Sequence, residues 1–423
     1  MTSTSISGLS IGDPEFWRRP LGARMADFAA WREVGPFIPV DLEMPEGEPL
    51  RFQAVVRYAE LVEISKRPQT FCSGAGSTSI QDLPAEAMEY FGSFITMDDP
   101  RHARLRRIVG RSFTPHRLEE VVDSVERICA ECIDEMCEAG EADFVRAISA
   151  PIPLLVICDM MGIPRSEFTT VLRATNVILG AGDAEMTGGQ DPFEALFEAA
   201  ITLTGLMGEL AEHRRAHPTD DLTSALVHAD VEGEHLSDAE LGPFFILLAV
   251  AGNDTTRTAT TLGMQMLGEH PDERAIWQGD IDGVTPSAVE EIVRFGSPVT
   301  FMRRTATEAV SLSGHDFEVG ERFVLFYGAA NRDPRVFDDP ERFNVRRDPN
   351  PHVGYGGPGP HFCLGAHLAR RELAVIFRQL FTRLPDIEPS GPPEHLEAIG
   401  VPLVGGVKHL PVRFTPTARA ARS

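Results

Sequence analysis

One cysteine stands apart in its surroundings. The segment Gly354-Tyr355-Gly356-Gly357-Pro358-Gly359-Pro360-His361-Phe362-Cys363-Leu364-Gly365 crowds glycine and proline around Cys363 just before a helical pattern over Ala366 to Leu384. A thiol placed there faces backbone N–H groups at a helix N-terminus, which lowers its pKa and favours thiolate. A single thiolate on a glycine-rich turn suits an iron ligand approached closely by a flat macrocycle, because glycine lets the backbone come near a ring. A second unusual stretch is Ala251-Gly252-Asn253-Asp254-Thr255-Thr256. Gly, Asn, Asp and Thr are poor interior helix formers, and Thr hydroxyls compete for backbone carbonyls. The spacing predicts a locally opened helix that places an acid beside a hydroxyl, a pair able to bind a small ligand and relay protons to it.

Two further features carry less information alone. Glu291 and Arg294 lie three apart on one helix face, a spacing usually found in solvated pairs. Arg101-His102-Ala103-Arg104-Leu105-Arg106-Arg107 concentrates positive charge, and His102 and Arg106, four apart, share a face that can grip paired carboxylates.

The elements that must position these residues are mostly helices. The first 35 or so residues read as irregular, and Ala54 to Lys66, with Phe71, as a short strand and helix. Apolar residues recur at helical spacing over Pro115 to Glu138 and again through Phe193 to His217. Cys129 and Cys132 fall on the first of these stripes and read as core thiols. Gly180, Gly182, Gly188 and Gly189 mark a loop between helices, a candidate lid. Ser237 to Glu240 forms a capping box opening the longest helix, stopped at His270 by Pro271; Ser287 to Glu290 reads as the opening of another, ending near Gly296. Val310 to Leu312, Phe317 to Val319 and Arg322 to Tyr327 read as short strands. The expected class is mainly α with a minor antiparallel sheet, residues 1–423 forming a single domain without a linker.

Composition narrows the function. With 63 Asp+Glu against 39 Lys+Arg the net charge is −24, which argues against a nucleic-acid partner. The longest apolar run, about Leu241 to Gly252, falls short of the roughly 20 residues that span a bilayer. The N-terminus has neither the basic nor the apolar region of a secretory signal, and six cysteines are too few for a disulfide scaffold, so a cytoplasmic location is expected.

Taken in order and spacing, the Ala251–Thr256 stretch, Glu291-x-x-Arg294, Pro340-Glu341-Arg342-Phe343 and the Cys363 loop resemble the cytochrome P-450 family of haem-thiolate monooxygenases over nearly the whole chain. That resemblance implies a large helical haem-binding domain with a smaller β-sheet region, haem b ligated by Cys363, and dioxygen as co-substrate. It assigns proton delivery to Asp254 and Thr255, beside a groove at Ala251 and Gly252. It assigns His102, Arg106, Arg304 and His361 to the haem propionates, places Gly365 against the cofactor, and makes Glu291, Arg294 and Arg342 a buried structural charge cluster. Its layout puts Phe94, Ile95, Val177, Leu179, Leu247, Val250, Val299 and Phe301 around the substrate. One departure is visible: the aromatic residue usual seven positions before the Cys is Gly356 here, with Tyr355 one further back.

A finer resemblance, carried by Tyr90–Ile95, Ile157–Pro164, Asn176–Gly180, Met302–Ala306 and Asn350–Gly354, is to actinobacterial members that hydroxylate terminal methyl groups of methyl-branched fatty acids, isoprenoids and sterol side chains. No flavin or iron–sulfur segment is visible, so electrons from NAD(P)H are expected through a ferredoxin reductase and a ferredoxin, the latter docking on Arg101, Arg104, Arg107, Arg111, Arg370 and Arg371. Three alternatives are a peroxide-driven hydroxylase of the same fold, a haem sensor without turnover, and a cysteine hydrolase pairing Cys363 with His361.

Overall fold

A computed structural model describes residues 8–43, 49–82, 90–112, 115–230, 236–397 and 400–420; the side chains of 111, 112, 115–120 and 238 are outside that description. The N-terminal region departs from expectation. Asp13 caps a short helix α1 (Pro14–Arg18) by accepting from the Glu15 N–H, and α2 (Leu21–Val34) follows directly. Pro14 sits where a helix start tolerates proline. Phe16, Trp17, Met25, Phe28 and Trp31 are buried together against Phe326, so tertiary packing overrides the Ser/Gly/Pro-rich composition.

The main sheet has strand order β1-β2-β8-β5-β3, formed by β1 (Phe37–Leu42), β2 (Leu50–Val55), β3 (Phe71–Cys72), β5 (Phe301–Ala306) and β8 (Arg322–Phe326). It is mixed rather than antiparallel, because β2 and β8 run parallel with Ala54 opposite Val324. Between β2 and β3 lies α3 (Tyr58–Lys66). Small pairs complete the β structure: β6 (Val310–Leu312) with β7 (His315–Phe317), β4 (Glu141–Asp143) and β9 (Glu388–Pro389) flanking β12 (Pro411–Arg413), and β10 (Glu394–His395) with β11 (Val407–His409).

The helices that matter to the site are α4 (Arg101–Ser112), α5 (Pro115–Met136), α6 (Pro151–Met161), α7 (Phe168–Leu179), α8 (Ala184–Thr187), α9 (Pro192–Ala216), α10 (Leu222–Val227), α11 (Asp238–Glu269), α12 (Pro271–Gly279), α13 (Ile281–Gly296), α14 (Tyr327–Ala330) and α15 (Ala366–Arg383). At 32 residues α11 is the longest described, opened by the expected Ser237/Glu240 box, and it packs on α6, α9, α13 and α15. Its apolar neighbours divide the core in two: Ala259, Leu262 and Met266 join α5, α13 and α15, whereas Phe244, Phe245 and Ala249 join α6, α7 and α9. Cys129 and Cys132 are buried in the first cluster, where desolvation pushes their thiols well above the ordinary range.

The helix expected at Ser287 starts earlier. Asp280 caps α13 by accepting from Gly283 N–H, and Ser287 lies inside it with its hydroxyl donating to the Val345 carbonyl. Pro286 is accommodated one turn in. The candidate lid carries α8 and is fastened: Asp183 accepts from Glu397 N–H and pairs with Lys408 at 3.3 Å.

The charge cluster is also partly redrawn. Glu291 and Arg294 are wholly buried and joined by two hydrogen bonds of 2.7 and 2.8 Å. The second cation on Glu291 is Arg347, at 3.1 Å, not Arg342. Arg342 contributes its backbone carbonyl to Arg294 and sends its own guanidinium outward to Glu273. Arg294 also donates to the carbonyls of Asn331 and Pro340, so the cluster ties α13 to the segment leading into the Cys loop. Removing one member of such a buried set strands the opposite charge. Glu291→Leu is therefore expected to lose about 3–5 kcal/mol of stability in urea denaturation; a loss under about 1 kcal/mol would mean the two arginines find water.

Candidate functional site

The Cys loop is shaped by its neighbours. Cys363 N–H donates to the Tyr355 carbonyl at 2.9 Å, closing the turn before α15. At Gly359, with φ +158°, a Cβ would lie 2.2 Å from the Ser65 carbonyl oxygen; at Gly354 it would lie 2.6 Å from Val293. These glycines thus answer to close packing on α3 and α13. Cys363 opens onto a cavity and is the one cysteine on its wall among the described residues. The Gly365 N–H, Arg106 and Arg370 all favour the thiolate, but burial outweighs them and holds the thiol above its ordinary value rather than below it.

The cavity is roofed by α11 and the segment before β5. Phe94, Ile95, Phe244, Leu247, Leu248, Val299 and Met302 supply apolar wall, and Ala251, Gly252 and Thr255 of α11 line the same cavity as the Cys loop. Phe94, Ile95, Leu247 and Val299 are thus brought together as the sequence suggests, and Gly365 lies on the floor. Val177, Leu179, Val250 and Phe301 are not on this wall. Val177 packs within the α7–α9 core, Val250 lies against it, and Phe301 packs in the sheet's core with its ring tilted against Phe326.

The long helix does not open at residues 251–256; it is α-helical throughout. Thr255 accommodates this by donating its hydroxyl to the Ala251 carbonyl at 2.7 Å, leaving the oxygen's lone pairs for the cavity. Gly252 is needed for packing, since a Cβ would lie 2.5 Å from Ile157. Asp254 is on the helix's other side, fully buried and off the cavity wall. Its Oδ1 accepts from Asn253 at 3.1 Å and its Oδ2 has no partner among the described residues. Burial raises this carboxyl to about 8, against the opposing pull of Arg257 and Asn253. It is therefore a neutral, proton-carrying acid at pH 7.

A cationic corner borders the cavity. Arg106, Arg304 and His361 line it, and His102 stands behind His361 with ring centroids 4.2 Å apart. Arg106 donates to the Phe362 carbonyl at 2.5 Å and Arg304 to the Arg303 carbonyl at 2.7 Å; neither is paired with a carboxylate among the described residues. His361 donates to or accepts from Ser73 at 3.1 Å, and burial plus Arg304, His102 and Arg106 drive its pKa down to about 3. The Nε2 of His102 is buried without a hydrogen-bond partner among the described residues.

One cavity residue was not singled out from sequence. Glu372 on α15 lines the cavity, is buried, and has its carboxyl raised to about 8 by burial against a hydrogen bond with Thr256. Its signal is a carboxylate on the same face as Leu373, Ile376 and Leu380, where a polar residue is out of place. Tyr355 lies under the Arg370 guanidinium, 4.2 Å from ring centroid to Cζ, and Arg370 is held by Glu290. That contact joins residues too far apart for spacing to reveal.

Comparison with known proteins agrees with this geometry. The cytochrome P450 family model matches residues 193–394. The methyl-branched lipid omega-hydroxylase of Mycobacterium tuberculosis is 42% identical over 421 residues, covering 97% of this chain and 95% of that protein. The steroid C26-monooxygenase of Mycolicibacterium smegmatis is 37% identical, covering 87% and 85%. A Mycobacterium marinum cytochrome P450 solved with pseudoionone superposes with TM-score 0.88 at 38% identity, covering 95% of this chain and 97% of that one. The chain belongs to the cytochrome P450 family and is a monooxygenase with that fold. Membership implies haem held by a thiolate, dioxygen, and electrons from NAD(P)H through redox partners. The residues present fit haem: one cavity-facing thiol, two cations without a carboxylate, and an orphaned His102 Nε2. No helix among the described residues is long and apolar enough to cross a membrane.

Proposed function

We propose that the protein hydroxylates a terminal methyl group of a methyl-branched lipid, isoprenoid or sterol side chain. The observation that carries this reading is the near full-length 42% identity to a methyl-branched lipid omega-hydroxylase, joined to an apolar cavity above Cys363. Bound haem supplies reductive activation of dioxygen and transfer of one oxygen atom into an unactivated C–H bond, with electron donation from the thiolate. The rest is this chain's work as one catalytic unit. Cys363 would supply the thiolate that holds the iron. Arg106, Arg304, His361 and His102 would hold the propionates, each offering a donor to a carboxylate. Phe94, Leu247 and Val299 exclude water and aim the substrate's end at the reacting centre. Asp254 stores a proton on its unpartnered Oδ2 and passes it toward Thr255 Oγ1, whose lone pairs face the cavity.

The experiment is a titration of the oxidised holoenzyme with phytanic acid, farnesol and cholest-4-en-3-one. A low-to-high-spin shift with one of them, and a product oxidised at its terminal carbon, is the expected result. In-chain hydroxylation or no shift with any lipid would remove the substrate class.

A ferredoxin is the proposed electron donor, in the cytoplasm. Arg106 on α4 and Arg370 on α15 both touch the Cys loop region, so the exposed cations of these helices flank it. Arg104 and the more exposed Arg101 share Glu240, Arg370 is committed to Glu290, and the side chain of Arg111 is outside the described residues. Arg371 is exposed. Reversing Arg101 and Arg371 to Glu is expected to slow reduction by ferredoxin on the order of tenfold at low salt, while leaving peroxide-driven turnover unchanged. Equal loss in both assays would contradict the docking face.

A further inference from the structure

A second cavity, of about 410 Å³, lies between α1 and α2, the C-terminal half of α11, the end of α13 and the approach to β10. It shares a wall with the site above Cys363. Pro298 and Val299 face the first cavity, while Ser297 and Thr300 face the second. The wall is pinned by Thr300 N–H donating to the Leu403 carbonyl at 2.8 Å and Gly405 N–H donating to the Pro298 carbonyl at 3.1 Å. Its size is that of a small-molecule site.

The lining is mostly apolar, with Trp17, Met25, Phe28 and Leu262 prominent, but it contains one unpaired cation. The Arg24 side chain makes no hydrogen bond or ion pair among the described residues, and its Nε is buried without a partner there. Its Cζ lies 5.6 Å from the Trp17 ring centroid. Arg18, the other arginine on the wall, is satisfied by Glu15 at the surface. Among the described residues no Asp or Glu lines this cavity, although the chain as a whole carries a net charge of −24. Burial and the neighbouring Arg19 lower Arg24 to about 10, which still leaves it charged at neutral pH. A half-buried guanidinium without a counter-ion on a mostly apolar wall is unfavourable, and an anionic ligand is what relieves it.

We infer that this cavity is a second ligand site, taking an amphipathic carboxylate whose head pairs with Arg24 and whose apolar body lies against Trp17, Phe28 and Leu262. A neutral lipid leaves Arg24 unpaired, and a multiply charged phosphate would find only one guanidinium. His395 also lines this wall, its pKa lowered by burial and by Arg24 against a backbone hydrogen bond at Gly406. The inference is independent of the substrate class proposed above.

The test is calorimetric titration of decanoate into holoenzyme whose haem cavity is closed by 4-phenylimidazole. The expected result is saturable binding of one decanoate, weakened tenfold or more in Arg24→Gln, as expected for a lost charge-assisted bond, and largely restored in Arg24→Lys. Gly405, whose backbone is outside the left-handed region and whose Cβ would lie 3.9 Å from Thr300 Oγ1, gives an independent variant: Gly405→Val should block binding without altering charge. Decan-1-ol should bind the unaltered protein at least tenfold more weakly than decanoate. Each variant is first checked for an intact Soret band after reduction and carbon monoxide. Absence of binding to the unaltered protein, equal affinity in Arg24→Gln, or decan-1-ol binding as tightly as decanoate would overturn the inference.

Discussion

Cys363→Ala is expected to abolish both the strongly red-shifted Soret band of the reduced, carbon-monoxide-treated protein and all turnover. No other described cysteine can substitute. Cys129, Cys132 and Cys158 are buried in the core with thiols held far above the thiolate range, Cys137 is buried there too, and Cys72 lies off the cavity wall. The fold should survive, because the Cys363 side chain opens onto the cavity and the bond that closes the loop comes from its backbone N–H. Far-ultraviolet circular dichroism should therefore match that of the unaltered protein. A red-shifted band retained in Cys363→Ala would mean that the thiolate assignment is wrong. Burial raises the pKa of the Cys363 thiol in the protein alone, and haem iron, when bound, would favour the thiolate there.

The second large effect is expected at Asp254. Asp254→Asn keeps the size and the contact with Asn253 but removes the titratable proton, and product formation should fall by about 10²-fold or more, the usual reach of a positioned general acid. The substrate-induced spin shift should be unchanged, because Asp254 is not on the cavity wall. The unaltered enzyme gives the complementary signature. With a folded pKa raised to about 8, the carboxyl holds its proton below that pH and loses it above. Activity should therefore decline as pH rises through about 8, and Asp254→Asn should lack that limb. Glu372 titrates in the same range, so Glu372→Gln is the control: it should retain the decline. A limb that persists in Asp254→Asn and vanishes in Glu372→Gln would move the proton store to α15.

The parts of this site legible in sequence are those written in local chemistry. Cys363, the Ala251–Thr256 stretch and the long capped helix stand out because each breaks or satisfies a rule within a few residues. Less legible was how those residues face. Asp254 and Thr255 are adjacent in the chain, but one points into the core and the other to the cavity, since successive helix positions turn by about 100°. The opened helix expected there is closed by a hydroxyl–carbonyl bond and by the fit of Gly252 on Ile157. The exchange of Arg342 for Arg347 in the charge cluster, Tyr355 beneath Arg370, and the parallel pairing of β2 with β8 all depend on long-range contacts. The two N-terminal helices were masked by Pro14 and Pro20, which here start helices, as proline at a first turn can.

The central claim is that this chain places one atom of dioxygen on the terminal carbon of a hydrophobic substrate. It is tested most directly by turnover under ¹⁸O₂ with ferredoxin, its reductase and NAD(P)H, using whichever of phytanic acid, farnesol or cholest-4-en-3-one gives the spin shift, followed by mass spectrometry of the product. The account predicts a single ¹⁸O at a terminal methyl carbon. A product labelled from water, or labelled within the chain, would contradict it.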